Sequence, residues 1–201
     1  MQEQSTVLRK SLRLQRRHLN CFQHRQAEQK IIAEFLSNSH FRFAKKIGIY
    51  LSAFGEVDTN RLIHLCFKLG KSVYLPRVSN LNGRLKWVEI TLHQYLTKKF
   101  SKHTLGMYEP KNSIGITAKE LDVLIMPLLA CDQFGTRMGM GGGYYDRTLS
   151  LAPRKPYRIG IAHDFQVISE KLERHAWDQP LDQLITPNFC LKFKRQLLIN
   201  K

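Results

Sequence analysis

The sequence contains no run of eighteen apolar residues, and no apolar core follows its opening Met1-Gln-Glu-Gln-Ser-Thr. Neither a bilayer span nor a secretory signal is written there, so a cytosolic protein with no membrane partner is expected. Cysteine is sparse: Cys21, Cys66, Cys131 and Cys190 stand far apart with no Cys-x-x-Cys pair. That spacing suggests neither a zinc site nor a disulfide framework, and buried or idle thiols are expected. Internal repeats, low-complexity blocks and zinc-finger spacings are also lacking. Acidic residues are few, 16 against 32 basic ones, for a net charge of +16. Such an excess predicts attraction to polyanions, either nucleic acid or a small anion of several charges. The basic residues recur along the whole chain instead of forming a tail, so charge alone admits RNA binding without favouring it.

With 201 residues and 43% hydrophobic content, the chain is long enough for one well-buried domain and short for two. Its first forty residues hold no proline or glycine and are rich in Leu, Gln, Arg and Lys, which predicts two helices with a basic region over about 5–40. Leu8, Leu12 and Leu19 fall roughly on one face of the first helix, and Arg9 and Arg13, four apart, project together. Residues 45–52 read as a buried strand, 53–58 as the loop at its carboxyl end, and 59–69 as a helix. That helix has Asp58 or Thr59 as N-cap and Gly70 as its stop. A strand over 71–78 completes a β-α-β unit, which argues for a parallel sheet with helices on its faces. Glu56 then sits beyond the end of a strand, where open α/β sheets place ligand groups. Asn82-Gly83 signals a hairpin into a strand at 85–90, the stretch 91–118 is irregular, and 158–165 and 182–187 read as further short strands, the latter as the last.

The chain is organised around Arg137-Met-Gly-Met-Gly-Gly-Gly-Tyr-Tyr-Asp-Arg147. The apolar run 121–130 reads as a buried strand feeding this glycine loop, and 144–149 as the first turns of a helix with Asp146 near its positive end. Glycine has no Cβ, so backbone N–H groups in such a loop can approach an anion closely, and a helix start adds a favourable dipole. Arg137 and Arg147 bracket the glycines with guanidinium groups suited to phosphate oxygens. No Gly-Lys-Ser/Thr follows, so the loop is not a Walker A loop, and its spacing is not the dinucleotide fingerprint. His163 and Asp164 are adjacent on a strand and face opposite ways, which argues against a working dyad and for core hydrogen bonding by His163. Asp146 and Asp178 lie in separate segments and would form a magnesium site if the fold brought them together.

Taken together, these stretches resemble the 5-formyltetrahydrofolate cyclo-ligase family, in its bacterial form. The likeness runs through Arg9 and Arg13, Tyr50-Leu-Ser with Glu56, Tyr74-Leu-Pro-Arg77, 121–127, 138–147 and Gly160-Ile-Ala-His-Asp164. The resemblance implies a three-layer α/β/α domain spanning 1–201, with a mostly parallel sheet of the CoA-transferase-like kind. It implies ATP-dependent cyclisation of 5-formyltetrahydrofolate, with or without a polyglutamate tail, to 5,10-methenyltetrahydrofolate by a monomeric enzyme with Mg²⁺. The residues it implies for ATP are Arg9, Lys10, Ser11, Leu12 and Arg13, then Arg137, Met138, Gly139, Met140, Gly141, Gly142, Gly143, Tyr144 and Tyr145. Leu51, Glu56 and the stretch Met140 to Tyr144 are implied for folate, Asp146 and Asp178 for the metal, and Arg9, Arg13, Arg137 and Tyr144 for catalysis. Some members carry lysine where Arg9 stands, and eukaryotic members carry one where Gly142 stands, so phosphate contact here would rest on loop amides and arginines. The competing expectation is an RNA-binding protein on the same fold, using the basic surface.

Overall fold

A computed structural model describes residues 2–79, 82–104, 106–111 and 114–195. In chain order the elements are α1 (Gln2–His18), α2 (Cys21–Ser37), α3 (Ser39–Phe43), β1 (Lys46–Gly48), α4 (Asn60–Lys68), β2 (Ser72–Val78) and β3 (Leu85–Ile90). They continue with α5 (Leu92–Leu96), β4 (Phe100–Lys102), β5 (Tyr108–Pro110), β6 (Val123–Pro127), β7 (Ala130–Cys131) and β8 (Arg137–Met138). The last are α6 (Tyr144–Leu149), β9 (Tyr157–Ile161), β10 (Gln183–Ile185) and β11 (Cys190–Lys192).

Seven strands form one sheet in the order β11-β10-β9-β6-β1-β2-β3. The five inner strands are parallel, and β11 and β3 close the two edges antiparallel. Strands buried on both faces alternate between two cores instead of between core and water. Ile47, Val73, Val123, Ile125, Ile159 and Ile185 face the cluster that takes Ile31 and Phe35 of α2, Phe41 of α3 and Leu62, Ile63 and Cys66 of α4. Tyr74, Leu124, Met126 and Leu184 face the opposite way, against Leu121, Leu149, Ala152 and Leu181. Helices therefore cover both sides of the sheet, as the β-α-β reading requires. The chain leaves β1 for β2 on one side and later returns to β6 on the other, so the strand order reverses at β1 and β6. The crevice beyond the carboxyl ends of these two strands is where such sheets bind ligands.

Three expectations need correction. The strand expected over 45–52 pairs only through Lys46–Gly48. Beyond it, Thr59 Oγ1 donates to Tyr50 O at 2.8 Å and accepts from Ser52 N at 3.3 Å, so a side chain serves the backbone there in place of a neighbouring strand. The buried strand also does not feed the glycine loop directly, because the ribbon β7–β8 stands between them and lifts the loop over the sheet's end. Finally, the segment 182–187 is not the last strand: β10 is followed by β11, paired antiparallel at the edge. The four thiols are free, with Cys66 and Cys131 buried and Cys21 and Cys190 exposed.

One buried cation braces the far side of the sheet. Arg158 of β9 has no solvent exposure, and its guanidinium donates to Leu149 O (3.3 Å), Ala152 O (2.9 Å), Gln179 Oε1 (3.2 Å) and Pro180 O (3.3 Å). It thereby ties the end of α6 to the 179–182 segment. Arg158→Ala strands these buried acceptors, and a loss of about 3–5 kcal/mol is expected. Urea unfolding of the two proteins at one pH measures it.

Candidate active site

The site begins with the seating of α1. Leu12, with Leu8 beside it, packs against Ala130, Met138 and Leu172, so the helix lies across the ribbon that leads into the glycine loop. Arg9, Arg13 and Arg16 follow at spacings of four and three, which puts them along one stripe next to that apolar face. Arg9 Nε donates to Gly139 O at 3.3 Å and Arg13 Nη2 to Met140 O at 3.3 Å. Arg16 Nη1 reaches Leu128 O at 3.4 Å, just past the end of β6, and lies 3.7 Å from Glu56 Oε1. Lys10 and Ser11 are exposed on the other side of the helix, and Leu12 is core.

Within the loop, Gly143 takes φ +63° at the start of α6, a conformation that costs a side-chain-bearing residue, and no side chain caps the helix. With six residues, α6 offers only a short dipole, so any affinity of the loop for anions rests on its amides and the arginines. Asp146, in the first turn, accepts from Arg137 Nη2 at 2.7 Å and from Gln179 N at 2.9 Å. The Arg137 guanidinium also sits 5.6 Å from the centre of the Tyr145 ring. The two bracketing arginines differ in placement. Arg147 lies over Tyr144 and donates to Gly83 O at 3.1 Å, so it serves the β2–β3 hairpin.

Glu56 comes from a strained turn. Phe54 and Gly55 take φ of +53° and +75°, and a Cβ on Gly55 would stand 2.6 Å from the Arg16 carbonyl oxygen. Glycine is required there because two backbones meet. The turn is closed by Glu56 N donating to Ala53 O at 3.0 Å and by Ala53 N donating to Glu56 Oε2 at 3.0 Å. Burial pushes the Glu56 carboxyl up to about 7, against the opposing pull of the Ala53 N–H and Arg16. The Tyr50 and Tyr145 phenols are raised first by burial and then by the Glu56 charge, which groups them with Glu56 in one buried cluster. His163 closes the floor: burial, then His24, holds it down to about 4, while the nearby Gly55 backbone opposes them. Asp164 turns away to accept from Thr186 Oγ1 and Asn188, so His163 and Asp164 form no dyad.

Several guanidinium nitrogens here have no partner among the described residues: Arg13 Nε, Arg16 Nε and Nη2, and Arg137 Nε, all buried. Buried donors left unpaired cost free energy unless a ligand or water meets them, and these line one side of the crevice. Asp178 precedes Gln179, whose backbone N–H bonds to Asp146. Asp178 Oδ2 accepts from His175 N at 2.8 Å, closing the 175–178 turn. Each carboxylate keeps a second oxygen. Among the described residues no group of three or more His, Cys, Asp or Glu side chains could hold a metal. Two hard carboxylates fit an ion such as Mg²⁺ that keeps waters and takes phosphate oxygens, and do not fit an all-protein cage. The sequence reading missed Arg16 and Tyr50. Arg16 hides in the run Arg16-Arg17-His18, and its spacing to Arg9 and Arg13 was the available signal.

The chain matches the 5-formyltetrahydrofolate cyclo-ligase family over residues 1–187. It is 35% identical over 181 residues to the 5-formyltetrahydrofolate cyclo-ligase of Escherichia coli strain K12, covering 88% of this chain and 97% of that one. It is also 35% identical to the Haemophilus influenzae protein of the same name, covering 89% and 95%. The NMR structure of Aquifex aeolicus 5,10-methenyltetrahydrofolate synthetase superposes with a TM-score of 0.80 at 29% identity, over 98% of this chain and 96% of that one. Among the described residues, no helix is long and apolar enough to cross a membrane.

The raised pKa of Glu56 makes stability depend on pH. Its folded value of about 7 exceeds its ordinary 4.5, so folding favours the protonated form. The stabilisation is complete below about 4.5 and is lost as pH rises through about 7, a swing on the order of 3 kcal/mol. Gln cannot ionise. Glu56→Gln is therefore expected to gain stability relative to the unmodified protein between pH 5 and pH 8, read by urea unfolding at both. The His163 contribution runs oppositely below about 6.5 and cancels in that comparison.

Proposed function

The chain belongs to the 5-formyltetrahydrofolate cyclo-ligase family, a family of enzymes, and from that premise we propose that it converts 5-formyltetrahydrofolate to 5,10-methenyltetrahydrofolate with ATP as phosphoryl donor. The observation that carries the reading is the convergence of buried, partly unpaired guanidinium groups on a glycine loop at the point where the strand order reverses.

The N5-formyl group is amide-like and a poor electrophile. Transfer of the γ-phosphoryl to its oxygen breaks the bond to ADP and makes an iminium phosphate. N10 then attacks the formyl carbon and loses its proton, and the C–O bond breaks to release inorganic phosphate. The substrate supplies the nucleophiles, so the protein has to align oxygen with phosphorus and neutralise the charge on the group in transit. Arg9, Arg13 and Arg137, with the amides of Gly139 to Gly143, form the cationic side of that alignment in this reading. Mg²⁺ on Asp146 and Asp178 would screen the phosphate oxygens. Asp146 also holds Arg137 in place through their 2.7 Å bond. Leu51, Glu56 and the Met140 to Tyr144 stretch are proposed for the folate, with Tyr144 packing against the pterin and Glu56 accepting from its N–H edge. Lys10 and Ser11, exposed on the outer side of α1, are proposed to meet the outer part of ATP. The RNA reading rests on net charge alone and has no comparable observation behind it.

The test follows growth of the methenyl product's near-ultraviolet absorbance from 5-formyltetrahydrofolate, with ATP and Mg²⁺. Arg137→Ala and Asp146→Ala are each expected to lower kcat/KM by about a hundredfold or more while remaining folded by circular dichroism. Turnover that persists without ATP, or is unchanged in both variants, overturns the proposal.

A further inference from the structure

Arg16 is the one arginine of the α1 stripe that does not reach the glycine loop. Its side chain is 1% exposed, and it lies under the Ala53–Glu56 turn with Nη1 at 3.7 Å from Glu56 Oε1. That separation is too long for a strong hydrogen bond, and Nη1 already donates to Leu128 O, while Nε and Nη2 have no partner among the described residues. A buried guanidinium is thus set beside a buried carboxylate without locking it in a fork-to-fork pair. A bidentate pair would tie up both carboxylate oxygens, whereas here Oε1 faces Arg16 at 3.7 Å and Oε2 accepts only from the Ala53 N–H.

We propose that Arg16 is the positioning residue for Glu56, keeping its carboxylate ionised and aimed so that it can accept two N–H groups from the pyrimidine edge of the pterin. This rests on the folate reading of the site given above. The chemistry asks for such a device. The pterin edge presents an amino group and a ring N–H side by side, which match the two oxygens of an ionised carboxylate, and a protonated carboxyl offers one acceptor fewer. Burial opposes the Glu56 charge, the phenols of Tyr50 and Tyr145 beside it carry no cation, and its own turn supplies one backbone N–H in its favour, from Ala53. Burial, then His24, holds His163 down to about 4, so it adds no cation at neutral pH. Burial lowers Arg16 most, Glu56 opposes that, and Arg13 and Arg17 on its own helix add a smaller push in the same direction as burial. Among the groups acting on Glu56, Arg16 supplies the positive charge.

The experiment measures the dissociation constant of 5-formyltetrahydrofolate from pH 6.5 to 9, with a non-hydrolysable ATP analogue present, for the unmodified chain, Arg16→Met, Arg16→Lys and Glu56→Gln. Losing the cation moves the Glu56 titration to higher pH. The ratio of dissociation constants, Arg16→Met over unmodified, is therefore expected to be small at pH 9 and to climb as pH falls. Its limit is about tenfold for each unit by which the titration has moved. Arg16→Lys, which keeps the charge, should restore most of the unmodified profile, and it keeps the test in hand if the methionine variant does not fold. Affinity of the ATP analogue should change little in either. A ratio that stays flat with pH would make Arg16 a merely structural brace and overturn the inference, as would equal losses in the lysine and methionine variants. Glu56→Gln separates the two readings. If it binds folate as tightly as the unmodified chain, the folate role of Glu56 fails; if it binds weakly while Arg16→Met follows the unmodified profile, only the Arg16 inference fails.

Discussion

The packing of Leu12 against Ala130, Met138 and Leu172 is the contact on which the site depends. It is an ordinary apolar contact, but it fixes the angle at which α1 crosses the ribbon before the glycine loop. Every role proposed for Arg9, Arg13 and Arg16 follows from that angle, because each reaches a backbone carbonyl or carboxylate distant in the chain. An isolated helix of this composition would carry the same charges and present them to water. Docked, the stripe exchanges much of that hydration for Gly139 O, Met140 O and Leu128 O, with some N–H groups left over. Charge thereby becomes a directed binding element.

The same seating explains why the turn before α4 is strained. The Arg16 backbone lies so close to Gly55 that no side chain fits between them, and Phe54 shares the left-handed conformation. Strain of this kind persists where the surroundings over-determine it. Here it points Glu56 into the crevice while Ala53 N–H holds one carboxylate oxygen. The result is a buried acid whose ionisation is opposed by burial and favoured by the Ala53 N–H and then by Arg16.

On the other side of the loop, Arg158 and Asp146 link the sheet to the chemistry. Arg158 ties the end of α6 to the 179–182 segment, and Gln179 in that segment donates to Asp146, which holds Arg137. The chain of contacts runs from a buried brace to the group proposed to meet phosphate. Arg147 is used differently: its bonds to Gly83 O join α6 to the β2–β3 hairpin.

What the sequence by itself determined is the part governed by local rules. Apolar runs of strand length, the helical stripe of 59–69, the hairpin at Asn82-Gly83 and the glycines before Tyr144 follow from periodicity and backbone freedom, and they were enough for the sheet, its parallel core and the family. The ends of elements were less legible. Strand β1 stops at Gly48 because Thr59, eleven residues on, takes over the backbone bonds, and β11 exists because an edge was open to it. Tertiary structure alone decided which arginines turn inward. Arg137 and Arg147 look alike in sequence, yet one pairs with Asp146 and the other with Gly83, and Arg16 in a run of basic residues proves buried beside Glu56. The physical reason is that a side chain's charge is local, whereas the acceptors it can reach are set by packing between segments far apart in the chain.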